Sequence, residues 1–202
     1  MTEYIALLRA INVGGHGKVG MAKLGRLATD LGFSHVRTFL QTGNLLFQAD
    51  PRRTGTIEVE LERAARDRLG LMADIMVRTA SEWAAALAGN PFEREAATDP
   101  AHLLAVFLKR PPAPGAERRL AAAIRGPERA RVIGAETYVV YPVGIGRSRL
   151  TLPVIETALG VKGTGRNWNT VTRLASLSSE KSTDGDDGTT PPGNDERSRK
   201  GG

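Results

Sequence analysis

The chain contains no cysteine, which removes disulfides, thiolate nucleophiles and cysteine-based zinc sites. It has three histidines, His16, His35 and His102. They are scattered and never paired at helical spacing, so no metal site is expected. No apolar run approaches the roughly 20 residues of a membrane helix. No basic leader precedes the first apolar segment, so no signal peptide is expected and the cytoplasm is the expected location. A G-x-S-x-G elbow is absent. The acids Glu58, Glu60 and Glu62 read as a solvated helix face rather than a catalytic pair. Aromatic residues make up only 5% of the chain. No cofactor is implied.

What remains is ordinary for a globular protein: 41% hydrophobic and 25% charged residues in a chain of 202. The formal net charge is +6. Residues 178–202 hold six acids and four bases and no apolar residue, which leaves +8 on residues 1–177. That stretch is expected to be a disordered tail. The basic bias of the rest suits nucleic acid or a phosphorylated ligand, and equally a plain solubility charge.

Hydrophobic periodicity gives two similar halves. The first reads strand 3–10, helix 21–31, strands 35–40 and 44–49, helix 56–69 and strand 72–78. That order, βαββαβ, is the ferredoxin-like unit. Gly70 stands where a helix C-cap glycine belongs. A connecting helix over Ser81–Ala88, with Ser81 as its N-cap, ends at Asn90-Pro91. The second half reads strand 102–109, helix 116–125, strands 130–134 and 136–141 around a tight Gly134-Ala135 turn, helix 151–159, a short last strand at 161–165 and a helix from Asn167 to Leu177. The expectation is an α+β protein of duplicated ferredoxin-like βαββαβ cassettes with antiparallel sheets plus a C-terminal helix. Its divisions are 3–80, a connector at 81–100, 101–177 and the tail at 178–202.

Two polar knots stand out. Arg9-Ala10-Ile11-Asn12-Val13-Gly14-Gly15-His16-Gly17-Lys18 joins the first strand to the first helix. Such a loop presents backbone N–H groups beside a helix start, a natural place for an anion. Gly15–Gly20 formally matches G-x-G-x-x-G, but the second strand offers Arg37-Thr38 in place of the ribose-binding acid. The Walker pattern fails as well, with Val19 where Ser/Thr belongs. The plain reading gives Gly17 and Gly20 positive φ in a turn. Arg9, near the end of a strand buried on one face, reads either as a structural ion pair or as a ligand contact.

The second knot is Arg166-Asn167-Trp168-Asn169-Thr170. Asn167 suits an N-cap and Trp168 a core anchor. Arg166 at a helix start is an anion site in principle. Arg147 and Arg149 precede another helix, with Ser148 as its cap, and with Arg166 they would surround one phosphate. Between the knots, Gln41-Thr42-Gly43-Asn44 reads as a hairpin turn, with Gly43-Asn44 at positive φ. The expectation is that this turn and the opening loop lie at opposite ends of the sheet and do not share a pocket.

These segments carry a resemblance. Residues 4–15, Lys18-Val19-Gly20-Met21, Gly32-Phe33, Val36-Arg37-Thr38, Gln41-Thr42-Gly43-Asn44, Asn90-Pro91-Phe92 and Arg166-Asn167-Trp168-Asn169-Thr170-Val171 resemble, in order, the bacterial domain-of-unknown-function family 1697. The departures are small: Ala10 where glycine is common, Thr42 where serine is common. The resemblance covers about residues 3–177 and implies the duplicated fold. It implies no activity.

The sequence thus supports binding of an anionic ligand (nucleotide, nucleic acid or phosphorylated metabolite) through Arg9, Asn12, Gly14, Gly15, Lys18, Arg147, Arg149, Arg166 and Asn167. The alternatives are an enzyme acting on a small phosphorylated or carboxylated metabolite, or a structural or interaction module. For nucleic acid the motif is thin. Recognition sheets of this kind stack bases on strand aromatics, and the corresponding strands hold only Tyr4 and Phe47. No membrane partner is expected, and the oligomeric state is left open.

Overall fold

A computed structural model describes residues 1–9, 20–40 and 42–180. The first sheet holds β1 (Thr2–Leu8), β2 (Ser34–Phe39), β3 (Asn44–Ala49) and β4 (Ile75–Thr79), in the order β2-β3-β1-β4. The second holds β5 (Leu103–Leu108), β6 (Arg129–Ile133), β7 (Glu136–Val140) and β8 (Gly163–Asn167), in the order β6-β7-β5-β8. Every pairing is antiparallel. The duplicated α+β architecture is therefore present. α1 (Met21–Asp30) and α2 (Thr54–Leu69) belong to the first unit, α5 (Ala116–Ala123) and α6 (Leu152–Leu159) to the second. α3 (Ala80–Ala88), α4 (Glu93–Thr98) and the C-terminal α7 (Trp168–Ser179) complete the chain.

Alternation along β1 explains the layering. Tyr4, Ala6 and Leu8 face α1 and α2, while Ile5 and Leu7 face the other way. β5 does the same: Val106 and Leu108 face α5 and α6, whereas Leu103, Ala105 and Phe107 face inward. The inner faces of both sheets enclose a middle core together with Trp83 and Ala86 of α3 and Trp168, Val171 and Leu174 of α7. Both faces of each sheet are thus covered, which is why β1 and β5 read as continuous apolar runs rather than alternating ones. Tyr4 and Phe47 are buried on the helix side, stacked with centroids 5.6 Å apart. Neither sheet offers an open aromatic face to a base.

Local chemistry sets the ends. α3 is capped by Thr79, whose side chain accepts from Glu82 N while Glu82 reaches back to Thr79 N; Ser81, the expected cap, only contacts the Thr79 hydroxyl. Gly70 caps α2 in the left-handed region, as expected. Gly20 sits at φ −60 before α1, so its expected positive φ is not found; Gly17 lies outside the described residues. The last strand runs 163–167 rather than 161–165, and α7 continues two residues past Leu177. α4 had no counterpart in the sequence reading. Residues 181–202, nearly all of the expected tail, lie outside the described residues.

Candidate functional site

β1 and β3 are antiparallel, and Leu7 pairs with Asn44. The end of β1 therefore lies beside the start of β3. The β2–β3 turn and the β1–α1 connection leave the same end of the sheet, contrary to the expectation from sequence. Leu8 N donates to Gly43 O at 2.8 Å. Gly43 has φ +82, and a Cβ there would lie 2.8 Å from Leu8 Cβ, so only glycine lets the turn close on β1. Asn44 does not share the positive φ; it starts β3 and is fully buried, and Leu40 takes the left-handed conformation instead.

Arg166 crosses from β8 of the second sheet into this junction. Its Nε donates to Asn44 Oδ1 at 2.6 Å. Nη1 donates to Thr164 Oγ1 and Gly165 O, at 2.8 and 2.9 Å. Nη2 donates to the carbonyls of Leu8, Thr42 and Gly43, at 3.0, 3.1 and 3.0 Å. Only 7% of the residue is exposed. Every one of these acceptors is neutral. Burial pushes the guanidinium pKa down to about 10, which still leaves a full positive charge at neutral pH. The network is a buried cation with satisfied donors and, among the described residues, no acidic partner.

The other charges near the end of β1 are balanced. Arg9 makes a two-pronged pair with Glu156 of α6, through Nε at 2.8 Å and Nη2 at 2.9 Å. Asp74 lies 4.0 Å from Arg9 Nη1. Glu156 also accepts from Gly163 N and lies 3.8 Å from Lys162 Nζ. Arg9, Glu156, Thr157, Gly160 and Lys162 line a cavity of about 360 Å³. Arg9 forms the expected kind of ion pair, and it does so across the two halves of the chain.

Asn167 caps α7, its Oδ1 accepting from Thr170 N at 3.0 Å and Thr170 Oγ1 at 2.8 Å. Trp168 is buried edge-on to Tyr138, with centroids 6.3 Å apart, as befits an anchor. Arg147 and Arg149 are exposed, and among the described residues neither has a side-chain hydrogen-bond partner. Arg166, with its donors committed at the junction, does not turn towards them. Ser148 does not cap α6; it donates to Glu128 and accepts from Leu150 N. Asn12, Gly14, Gly15 and Lys18 lie outside the described residues. Among the described residues no group of three His, Asp or Glu is placed to hold a metal.

Sequence reasoning singled out Arg9 and Arg166 but missed Asn44 and Thr164. Asn44 was legible only as a turn residue. Its Nδ2 does bind the turn, donating to Phe39 O at 2.8 Å and Thr42 Oγ1 at 3.1 Å. Its opposite face, however, holds a cation 122 residues away in the chain.

Two face-to-face α+β units, stitched by arginines that cross between them, define the class of this protein. The model of the family described as "Protein of unknown function (DUF1697)" matches residues 1–138, and the chain belongs to that family. Among solved structures it is similar to the conserved bacterial protein SP0830 from Streptococcus pneumoniae. The TM-score is 0.66 at 21% identity, covering 88% of this chain and 98% of that one. That likeness is one of fold. Among curated proteins none matches.

Proposed function

We propose that the protein binds an anionic ligand at the junction of the β1 end, the β2–β3 turn and the start of α7. The observation that carries this reading is Arg166, a buried cation with no carboxylate partner among the described residues, held between the end of β1 and the β2–β3 turn. Burying a charge without a counter-charge is costly, and an anionic ligand would supply the missing partner. The start of α7 adds the positive end of a helix dipole. The proposed ligand contacts also include Asn12, Gly14, Gly15 and Lys18, which follow Arg9 in the sequence.

A small anion, such as a nucleotide or phosphorylated metabolite, fits better than a nucleic-acid strand, because the sheet faces are packed against each other and against helices. An enzyme acting on such an anion would use the same groups for charge stabilisation. A purely structural module is favoured by one fact, that Arg166 already has protein acceptors for all its donors. A cytoplasmic setting suits a chain without cysteine. No helix among the described residues is long and apolar enough to cross a membrane.

The test is calorimetry with inorganic pyrophosphate at low salt. Lys18→Ala should weaken binding several-fold and leave the urea midpoint nearly unchanged if its role is to attract the anion. Equal binding by the wild type and Lys18→Ala removes the opening loop from the site. No binding by the wild type leaves the structural module.

A further inference from the structure

The outer strand of a sheet presents unpaired N–H and C=O groups, and proteins guard such edges. The two sheets end in β2 and β4, and in β6 and β8. Three of these edges are guarded. Along β4, Ile75 N donates to Glu62 Oε1 at 2.7 Å and Val77 N to Glu58 Oε1 at 2.8 Å, both carboxylates reaching over from α2. Along β8, Gly163 N donates to Glu156 Oε1 of α6 at 2.9 Å. β2 is broken by a register shift between Ser34 and Arg37, where His35 has φ 49.

β6 has neither device. It pairs with β7 in even register, from Arg129 with Val140 to Ile133 with Glu136. Leu108 N donates to Ala135 O and Tyr141 N to His102 O. The odd-numbered residues of β7 therefore bond to β5, and Glu136, Tyr138 and Val140 bond to β6. Their partners Ile133, Arg131 and Arg129 are thereby used. Ala130 and Val132 turn their N–H and C=O groups outward. Among the described residues these groups meet one partner, Arg131 Nη1, which donates to Ala130 O at 3.2 Å. A cavity of about 350 Å³ lies along the strand, between Phe92 on the side of the middle core and Ala121 and Ile124 on the side of α5.

Alternation gives this edge two chemical faces. Arg129, Arg131 and Ile133 stand exposed on one, while Ala130 and Val132 pack on the other with Ile124. The strand carries two cations and no acid. Arg129 is shared with Glu95, and Arg131 meets no carboxylate among the described residues. Glu128, at the head of the cavity, takes the Ser148 hydroxyl. A second copy of this chain is a poor mate. Two-fold antiparallel pairing of β6 with itself, in either register that uses Ala130, sets Arg131 of one copy opposite Arg131 or Arg129 of the other, and like charges there are destabilising.

We propose that β6 is a docking edge for an extended segment of another protein in which acidic and apolar residues alternate. The acids stand opposite Arg129 and Arg131. The apolar residues stand opposite Ala130 and Val132, exchange backbone hydrogen bonds with them and cover Ile124. Arg131 releases Ala130 O to an incoming N–H and turns to a carboxylate. This edge is independent of the anion-binding reading.

The experiment titrates isotope-labelled protein with the peptide Glu-Val-Glu-Val-Glu and follows the amides of Ala130 and Val132 by NMR. Both amides should shift and saturate. The block-order isomer Glu-Glu-Glu-Val-Val, the lysine analogue Lys-Val-Lys-Val-Lys and the first peptide N-methylated at both valines should each bind at least about tenfold more weakly, the size expected for losing two hydrogen bonds or reversing the cross-strand charges. Arg131→Glu, with circular dichroism as the check on folding, should prefer the lysine peptide to the glutamate one. No shift at Ala130 and Val132 overturns the proposal. So does equal binding of the block-order or the N-methylated peptide, and so does a folded Arg131→Glu with the wild-type preference. If Arg131→Glu does not fold, the lysine and N-methylated peptides on the wild type decide.

Discussion

Thr137 is fully buried in β7, and its hydroxyl has no partner among the described residues. A hydroxyl taken from water without a new bond costs about 1–3 kcal/mol. Valine has nearly the same shape and no such group, so Thr137→Val should stabilise the protein by about 1 kcal/mol. A urea midpoint equal to or below that of the wild type would show that the hydroxyl is paired after all. Tyr138 and Tyr141 are the satisfied counterparts: their hydroxyls donate to Ala86 O at 2.6 Å and Leu150 O at 2.9 Å. Burial pushes both phenol pKa values above the ordinary 10. Below pH 10 both folded and unfolded chains keep these protons, so the two groups add no pH dependence. Above it, the unfolded chain releases protons that the folded chain holds, and stability falls by about 1.4 kcal/mol per pH unit per tyrosine. Arg166, pushed down to about 10, acts in the opposite sense and cancels in a comparison with Tyr138→Phe/Tyr141→Phe. Denaturation between pH 9 and 11 should find the double variant losing stability less steeply than the wild type; parallel curves would refute the assignment.

At the scale of elements, α7 depends on its first residues. Asn167 caps the helix and Trp168 anchors it between Tyr138 and the middle core. Trp83 ties α3 to the same helix through its Nε1, which donates to Val171 O at 3.1 Å, and stacks on Phe107 at 4.4 Å. Trp168→Ala should cost about 3–5 kcal/mol, as for other buried aromatics; unchanged stability with weakened anion binding would make Trp168 a ligand platform instead. The order of these elements was legible because apolar residues recur with period 2 in strands and 3.6 in helices, with glycine and proline between. α4 was not, because Glu93-Arg94-Glu95-Ala96-Ala97-Thr98 buries no residue and spans less than two turns. The site was half legible. Arg9 and Arg166 stood out as cations in apolar surroundings, but Glu156 is 147 residues from Arg9 and leaves no local signal. The misplaced turn has a plainer cause: the pairing of β1 with β3 fixes which end the loops share, and periodicity carries no information about pairing.

In the molecule as a whole, the two units hold each other by exchange. Arg9 of the first finds Glu156 of the second, while Lys109 of the second finds Glu58 and Glu62 of the first. Arg78 and Arg166 cross in opposite directions. Neither unit alone satisfies its own charges or covers its inner sheet face. Unfolding should therefore be a single transition. Fluorescence of Trp83 and Trp168 and far-ultraviolet circular dichroism should give coincident urea curves. Separate midpoints would show that the units melt independently.

The reciprocal junction also bears on synthesis. The first unit leaves the ribosome with Ile5, Leu7, Leu46 and Met76 bare on one face, and its covering partner is not yet made. Arg166, the last of the crossing arginines, is encoded 88 residues after Arg78. At roughly 5–20 residues per second, translation of that interval takes several seconds. During that time the nascent chain presents a sticky sheet with no mate, and on a crowded polysome the nearest substitute is the same sheet on a neighbouring chain.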